Sequence, residues 1–194
     1  MNNNTVPSSD QLKKELERAR DKKNKGGGKG FIKGFIVMFI VVAAVVSVLT
    51  TRYFPIMRIE GDSMAPNLKN GSITVAMKTE DLKRGDICCF YSGNTILCKR
   101  IIAVAGEVVN IDSNGIVYID NKPLDEPYVE ELDSGSGDIV FPYLVPEHMY
   151  FVMGDNRKIS KDSRYTDIGC VAEGQMIGKL VFRFWPIDEI GLIE

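Results

Sequence analysis

From Gly34 to Thr50 the chain carries no charge: Gly-Phe-Ile-Val-Met-Phe-Ile-Val-Val-Ala-Ala-Val-Val-Ser-Val-Leu-Thr, with Phe31 and Ile32 extending the run beyond Lys33. A stretch of about 18 or more mostly apolar residues crosses the hydrocarbon core as a helix, and Lys33 can snorkel toward the headgroups. The run divides the chain into a polar basic tail and linker at 1–30, an anchor at 31–52 and one domain at 53–194. It is longer than the usual 7–15-residue core of a cleaved leader, and no small-residue site closes it despite Ala43-Ala44, which favours an uncleaved anchor.

Charge orients that anchor. Residues 1–33 hold nine lysines and arginines against four acids, within a formal net charge of -2, so the remainder is acidic. A lysine-rich flank predicts a cytoplasmic N-terminus and an extracytoplasmic domain, single-pass at the cell membrane. A basic tail beside an acidic body argues against nucleic acid as a partner. Within the tail, Ser8–Arg20 reads as a short surface helix, with Ser8 and Gln11 as a capping box. Asn24–Gly30 reads as a flexible linker.

Beyond the anchor the pattern is β. Short apolar runs at 72–77, 87–91, 95–105, 108–111, 116–119, 139–141, 150–153 and 176–184 alternate with turn-rich segments, which predicts a mostly β barrel or sandwich. Residues 107–149 are denser in turns and read as a small β subdomain inserted into the main one, with a flexible loop at 133–138. There is no dinucleotide or phosphate-binding fingerprint, no Cys-x-x-Cys pair and one histidine, so no cofactor and no metal are expected. Cys88 and Cys89 point to opposite faces of a strand, so at most one meets Cys98 across a hairpin. Their apolar setting favours buried free thiols for all four cysteines, Cys170 included.

Three clusters bear chemistry. Ser63 lies in Gly61-Asp-Ser-Met-Ala-Pro-Asn-Leu68, at most about 40 Å of extended chain from Thr51, so it works near the bilayer. A serine attacks only when a base takes its proton. His148 sits beside a loop and is a poor candidate for that base. Lys99 shares a strand face with Leu97 and Ile101, while Arg100 shares the other with Cys98 and Ile102. A lysine in an apolar row is costly unless neutral or paired, and a neutral lysine is a base; the alternative is a lysine that snorkels out at a strand end. The third cluster, Gly154-Asp-Asn-Arg-Lys-Ile-Ser-Lys-Asp-Ser-Arg164, is either a solvated loop or a rigid one held by Asp155, Arg157, Asp162 and Arg164.

In order and spacing, Gly61–Leu68, Gly85-Asp-Ile-Cys-Cys-Phe90, Lys99-Arg-Ile-Ile-Ala-Val-Ala-Gly106 and Gly154–Arg164 resemble the boxes of type I signal peptidases, and the resemblance spans about residues 31–190. It implies a signal-peptidase-like β domain behind an anchor. It also implies a Ser/Lys-dyad endopeptidase that removes signal peptides from exported precursors after small residues, at Ala-x-Ala sites. By the resemblance Ser63 is the nucleophile and Lys99 the general base. Ser160 would hydrogen-bond the Lys99 amine, Arg100 would pair with a carboxylate, and Asp155, Arg157, Asp162 and Arg164 would support the site. Ile59, Met64, Leu68 and Cys98 would line small apolar pockets. The implied partners are signal-peptide-bearing precursors, the phospholipid bilayer and a nearby secretion translocon. Asn67 stands where many members have threonine. Gly61 stands where some supply a hydroxyl to the oxyanion hole, which leaves backbone N–H groups such as that of Ser63 for the role. Three rival readings accompany this one: a dedicated processing peptidase for one pilin or conjugation protein, a self-cleaving repressor-type peptidase, and a non-catalytic membrane-tethered export-binding domain.

Overall fold

The computed structural model describes residues 8–133 and 137–193. The first seven residues of the expected tail, and 134–136 of the expected loop at 133–138, lie outside them. The chain divides into two units between Leu49 and Thr50.

One helix, α1 (Ser9–Tyr53), takes up the whole N-terminal region. Gln11 Oε1 accepts the Ser8 backbone N–H at 3.2 Å, one half of a capping box. Asp10 and Arg52 place charges of the favourable sign at the two ends of the helix. Its Gly30–Tyr53 portion is predominantly apolar, with charge only at Lys33 and Arg52 near its ends, and, at 24 residues, spans about 36 Å, enough to cross a bilayer. The expected linker at 24–30 is helical instead. Each glycine costs about 1 kcal/mol in a helix interior, but a segment flanked by helix on both sides needs no new nucleus.

The second unit is mostly β. Its strands are β1 (Ile56–Arg58), β2 (Ile73–Met77), β3 (Ile87–Ser92), β4 (Thr95–Ala103), β5 (Val108–Ile111), β6 (Val117–Ile119), β7 (Lys122–Pro123), β8 (Tyr143–Leu144), β9 (Met149–Met153), β10 (Val171–Ala172), β11 (Met176–Trp185) and β12 (Gly191–Leu192). A large sheet runs β1-β2-β11-β3-β4-β9-β10 with β12 on β11, and a small sheet runs β7-β6-β5-β8. The run at 139–141 forms no strand. There the Asp138 and Ile139 N–H groups both donate to the Arg164 carbonyl, so this backbone is satisfied outside any sheet. Strands β1, β7, β8, β10 and β12 are too short to show a period in the sequence.

Three apolar clusters hold the sheets. Ile102, Ala103, Phe151 and Met153 of the large sheet pack with Val109, Val117, Ile119 and Val145 around the small one. Cys88, Phe90, Ile101 and Val152 form a second cluster, with Leu97 against it. Ile59, Met64, Leu68, Ala76, Ile87, Cys89 and Leu180 form the third. Each fully buried Val, Leu, Ile, Phe or Met among them contributes roughly 1.5–3 kcal/mol relative to exposure.

The cysteines depart from the expectation of four free thiols. Cys89 and Cys98 are register partners across β3 and β4 and form a disulfide; Cys88 and Cys170 are free. Strand pleat puts Cys89 and Cys98 on one face and Cys88 on the other. Burial pushes the Cys88 thiol up to about 12 and the Cys170 thiol up to about 11, so both are protonated and inert near neutrality.

Candidate active site

Ser63 sits in a tight loop between β1 and β2. Ile59 N–H donates to the Ser72 carbonyl and Gly71 N–H to the Ile59 carbonyl, which closes the loop's base. Gly61 has φ +83, a left-handed conformation that strains any residue with a Cβ. After the turn, Leu68 N–H donates to the Met64 carbonyl at 2.8 Å.

Lys99 reaches this loop from β4. Its Nζ lies 2.6 Å from Ser63 Oγ, and the residue is 3% exposed. Loss of solvent lowers the Lys99 pKa below its ordinary value; Asp162 and Asp155 oppose that shift and Arg164 adds to it. Such an amine is available as a base closer to neutral pH than a free lysine. Among the described residues, no acceptor takes the Ser63 N–H. His148, by contrast, is exposed and sits beside Glu173.

The support behind the pair is ionic and buried. Arg100 Nε and Nη2 donate to Asp155 Oδ1 and Oδ2, both at 2.9 Å, and Arg100 Nη1 donates to the Gly85 carbonyl at 2.7 Å. Asn67 Nδ2 adds a third bond to the Asp155 carboxylate at 2.9 Å. Asn156 N–H donates to the Ser63 carbonyl at 3.1 Å, so the residue after Asp155 holds the nucleophile's own backbone. Asp162 accepts Gly154 N–H at 3.0 Å and Arg164 Nε at 2.9 Å, and Arg157 Nε donates to the Gly154 carbonyl. The 154–164 segment is therefore a rigid loop with charge-assisted bonds.

Two expected placements differ. Ser160 is buried, but its hydroxyl has no hydrogen-bond partner among the described residues; the Lys99 amine is engaged by Ser63 Oγ instead. Leu68 is 1% exposed and packs in the core with Ile59 and Met64, and it is not among the residues that line the groove. Ile59, Met64 and Cys98 do line a groove of about 550 Å³ that contains Ser63 and Lys99. Its walls come from 56–60 and from 94–99.

Gly154 is needed for close approach. A Cβ there would stand 2.2 Å from Ser160 Oγ and 2.5 Å from the Ser63 carbonyl oxygen. Gly154→Ala should therefore displace Ser63 and destabilise the domain by about 1–3 kcal/mol through overpacking. Thermal unfolding and the cleavage rate of the purified variant check this, and an unchanged rate would refute it.

A profile of the family described as "Signal peptidase, peptidase S26" matches residues 32–185. The chain belongs to the signal peptidase family. It is 36% identical over 151 residues to signal peptidase IB of Staphylococcus aureus strain COL, covering 68% of this chain and 78% of the relative. It is 30% identical over 174 residues to signal peptidase I of Streptococcus pneumoniae, covering 70% and 84%. A crystal structure of a signal peptidase I from Enterococcus faecalis V583 aligns with TM-score 0.44 and 33% identity, over 53% of this chain and 99% of that one. As a member of this signal peptidase family, the chain is a peptidase with an N-terminal helix apolar and long enough to cross a membrane. Sequence reading did not single out Glu126 and Tyr128, which meet Arg157 and Arg100 beside the site and lie in a turn-rich stretch without a period or motif.

Proposed function

We propose that the chain is a membrane-bound serine endopeptidase that removes N-terminal signal peptides from exported precursors, cutting after small residues at Ala-x-Ala sites. The observation that carries this reading is the 2.6 Å approach of a buried, pKa-lowered Lys99 amine to the Ser63 hydroxyl. Neutral Lys99 takes the Ser63 proton as Oγ attacks the scissile carbonyl. Backbone donors, the Ser63 N–H among them, stabilise the oxyanion. The protonated Lys99 then gives its proton to the departing amine, leaving an acyl-enzyme on Ser63. Water, deprotonated by Lys99, adds to the ester and restores the serine.

The groove suits an extended peptide. β9 pairs with β4 only from Arg100 onward, so the 95–99 edge of β4 is open to an added strand. Ile59, Met64 and Cys98 leave room beside it for small apolar side chains. In the anchored enzyme the N-terminus is cytoplasmic and the catalytic unit extracytoplasmic, so a precursor's own apolar segment shares the bilayer and brings its cleavage site toward Ser63 as it leaves the translocon.

The test uses full-length chain in detergent: wild type, Ser63→Ala and Lys99→Ala, each with a precursor carrying an Ala-x-Ala site, and the product's new N-terminus sequenced. Cleavage after the second alanine by wild type alone is the expected result. Equal cleavage by either variant would remove the dyad.

A further inference from the structure

Behind the site, three buried cations are met by one segment. Between β7 and β8, Glu126 Oε1 and Oε2 accept Arg157 Nη2 and Nη1 at 2.5 and 3.1 Å. Asp133 Oδ2 accepts Arg164 Nη1 at 3.1 Å. Between them, the Tyr128 ring lies over Arg100, with 4.1 Å from Cζ to the ring centroid. The Tyr128 hydroxyl donates to Glu126 Oε1 at 3.0 Å, and its carbonyl accepts Asn67 Nδ2 at 2.9 Å, the same nitrogen that donates to Asp155.

The pair under the ring is the junction of the two reacting segments. Arg100 follows Lys99 on β4. Asp155 precedes Asn156, whose N–H holds the Ser63 carbonyl. Movement of one partner of the Arg100–Asp155 bridge against the other moves Lys99 against Ser63. A planar guanidinium stacked on an aromatic face is shielded from water, and a bridge shielded from water is stronger than one in solvent. Arg100 is 4% exposed and Asp155 1%, and the ring contributes to that cover.

We propose that Tyr128 is a positioning residue for the peptidase reaction. Its segment, fixed at Glu126 and Asp133, straps the Arg100–Asp155 bridge closed and so keeps the Lys99 amine at bonding distance from Ser63 Oγ. This rests on the Ser63/Lys99 reading above. The strap belongs to the stretch joining the small sheet's β7 and β8, so that sheet serves as a mount for the catalytic pair.

The ring, rather than the hydroxyl, carries the effect. Uncovering the bridge admits water and frees the Asp155 carboxylate from Arg100. Lys99 faces Asp155 and Asp162, which raise its pKa, and Arg164, which lowers it. Both added water and a freer Asp155 therefore push the amine back toward protonation. A loss of folded enzyme alone would not move that equilibrium.

The experiment compares full-length wild type, Tyr128→Phe, Tyr128→Leu and Tyr128→Ala, with Ser63→Ala and Lys99→Ala alongside, using one Ala-x-Ala precursor across pH. We expect Tyr128→Leu and Tyr128→Ala to lose roughly 10- to 100-fold in kcat, as for a small misplacement of reacting groups, with KM within about twofold. The acidic limb of kcat/KM should move upward by about half a pH unit or more. Tyr128→Phe, which keeps the ring, should restore both. Wild-type kcat in Tyr128→Leu, a fall in kcat with an unmoved limb, or a Tyr128→Phe as impaired as Tyr128→Leu would each overturn the proposal. Should circular dichroism show that Tyr128→Ala does not fold, Tyr128→Leu, which keeps apolar bulk, decides. If Lys99→Ala cleaves like wild type, it is the dyad reading that falls, whatever the Tyr128 variants do.

Discussion

Lys99→Arg is expected to lose about 10²–10⁴-fold in kcat/KM, the usual worth of a positioned general base. The replacement keeps a long basic side chain. What it removes is deprotonation, because a guanidinium stays protonated in proteins. The structure makes this the decisive substitution: Lys99 Nζ is 2.6 Å from Ser63 Oγ, and burial is the largest influence lowering its pKa from the ordinary 10.5. The sign follows for pH. At low pH the amine is protonated and cannot accept the Ser63 proton, so activity rises as pH climbs through the lowered Lys99 pKa. The wild-type acidic limb should thus fall below the free-lysine range. Steady-state kinetics across pH on wild type and Lys99→Arg check both points. A wild-type limb at 10.5 or above, or substantial activity in the variant, would contradict the assignment.

Asp155→Ala should cost about 3–5 kcal/mol, because it strands a buried cation. The Asp155 side chain is wholly buried, and that of Arg100 is 5% exposed. Removing the carboxylate takes the acceptor from two guanidinium donors at once and leaves the Asn67 amide only the Tyr128 carbonyl. For a domain of this size that corresponds to a fall in Tm of roughly 10 °C. Thermal unfolding in detergent reads it directly. Asp155→Asn, which keeps an acceptor oxygen but not the charge, should fall between the variant and wild type. An Asp155→Ala protein that melts with wild type would mean the bridge is hydrated and contributes little.

Much of the architecture was legible. The long apolar helix was plain because apolar length is a one-dimensional property, and long strands such as β3, β4, β9 and β11 announced themselves through β-branched and aromatic runs. The pairing of Ser63 with Lys99 was legible only through the order of four motifs; spacing alone left Lys99 open to a snorkelling role. Other features were not legible. Asn24–Gly30 has a linker's composition, yet helix on both sides overrides it. Leu68 lies in a pocket motif but packs in the core with Ile59 and Met64. Glu126 and Tyr128 act through partners at Arg157, Arg100 and Asn67, contacts set by tertiary structure that no local pattern encodes.

The Cys89–Cys98 link has a consequence for how β3 and β4 align. In an antiparallel pair, a slip of one residue sends every side chain to the opposite face. Such a slip would turn the Lys99 side chain away from Ser63 while leaving most of the backbone ladder countable and intact. It would also replace Cys89 opposite Cys98 by Cys88 or, in the other direction, by Phe90. Because the vicinal cysteines face opposite ways, the link closes between register partners in the native alignment, one residue from the lysine whose direction matters most. The covalent bond thus works as a proofreading mark: once it is closed between 89 and 98, the alignment that aims the amine at the serine cannot drift.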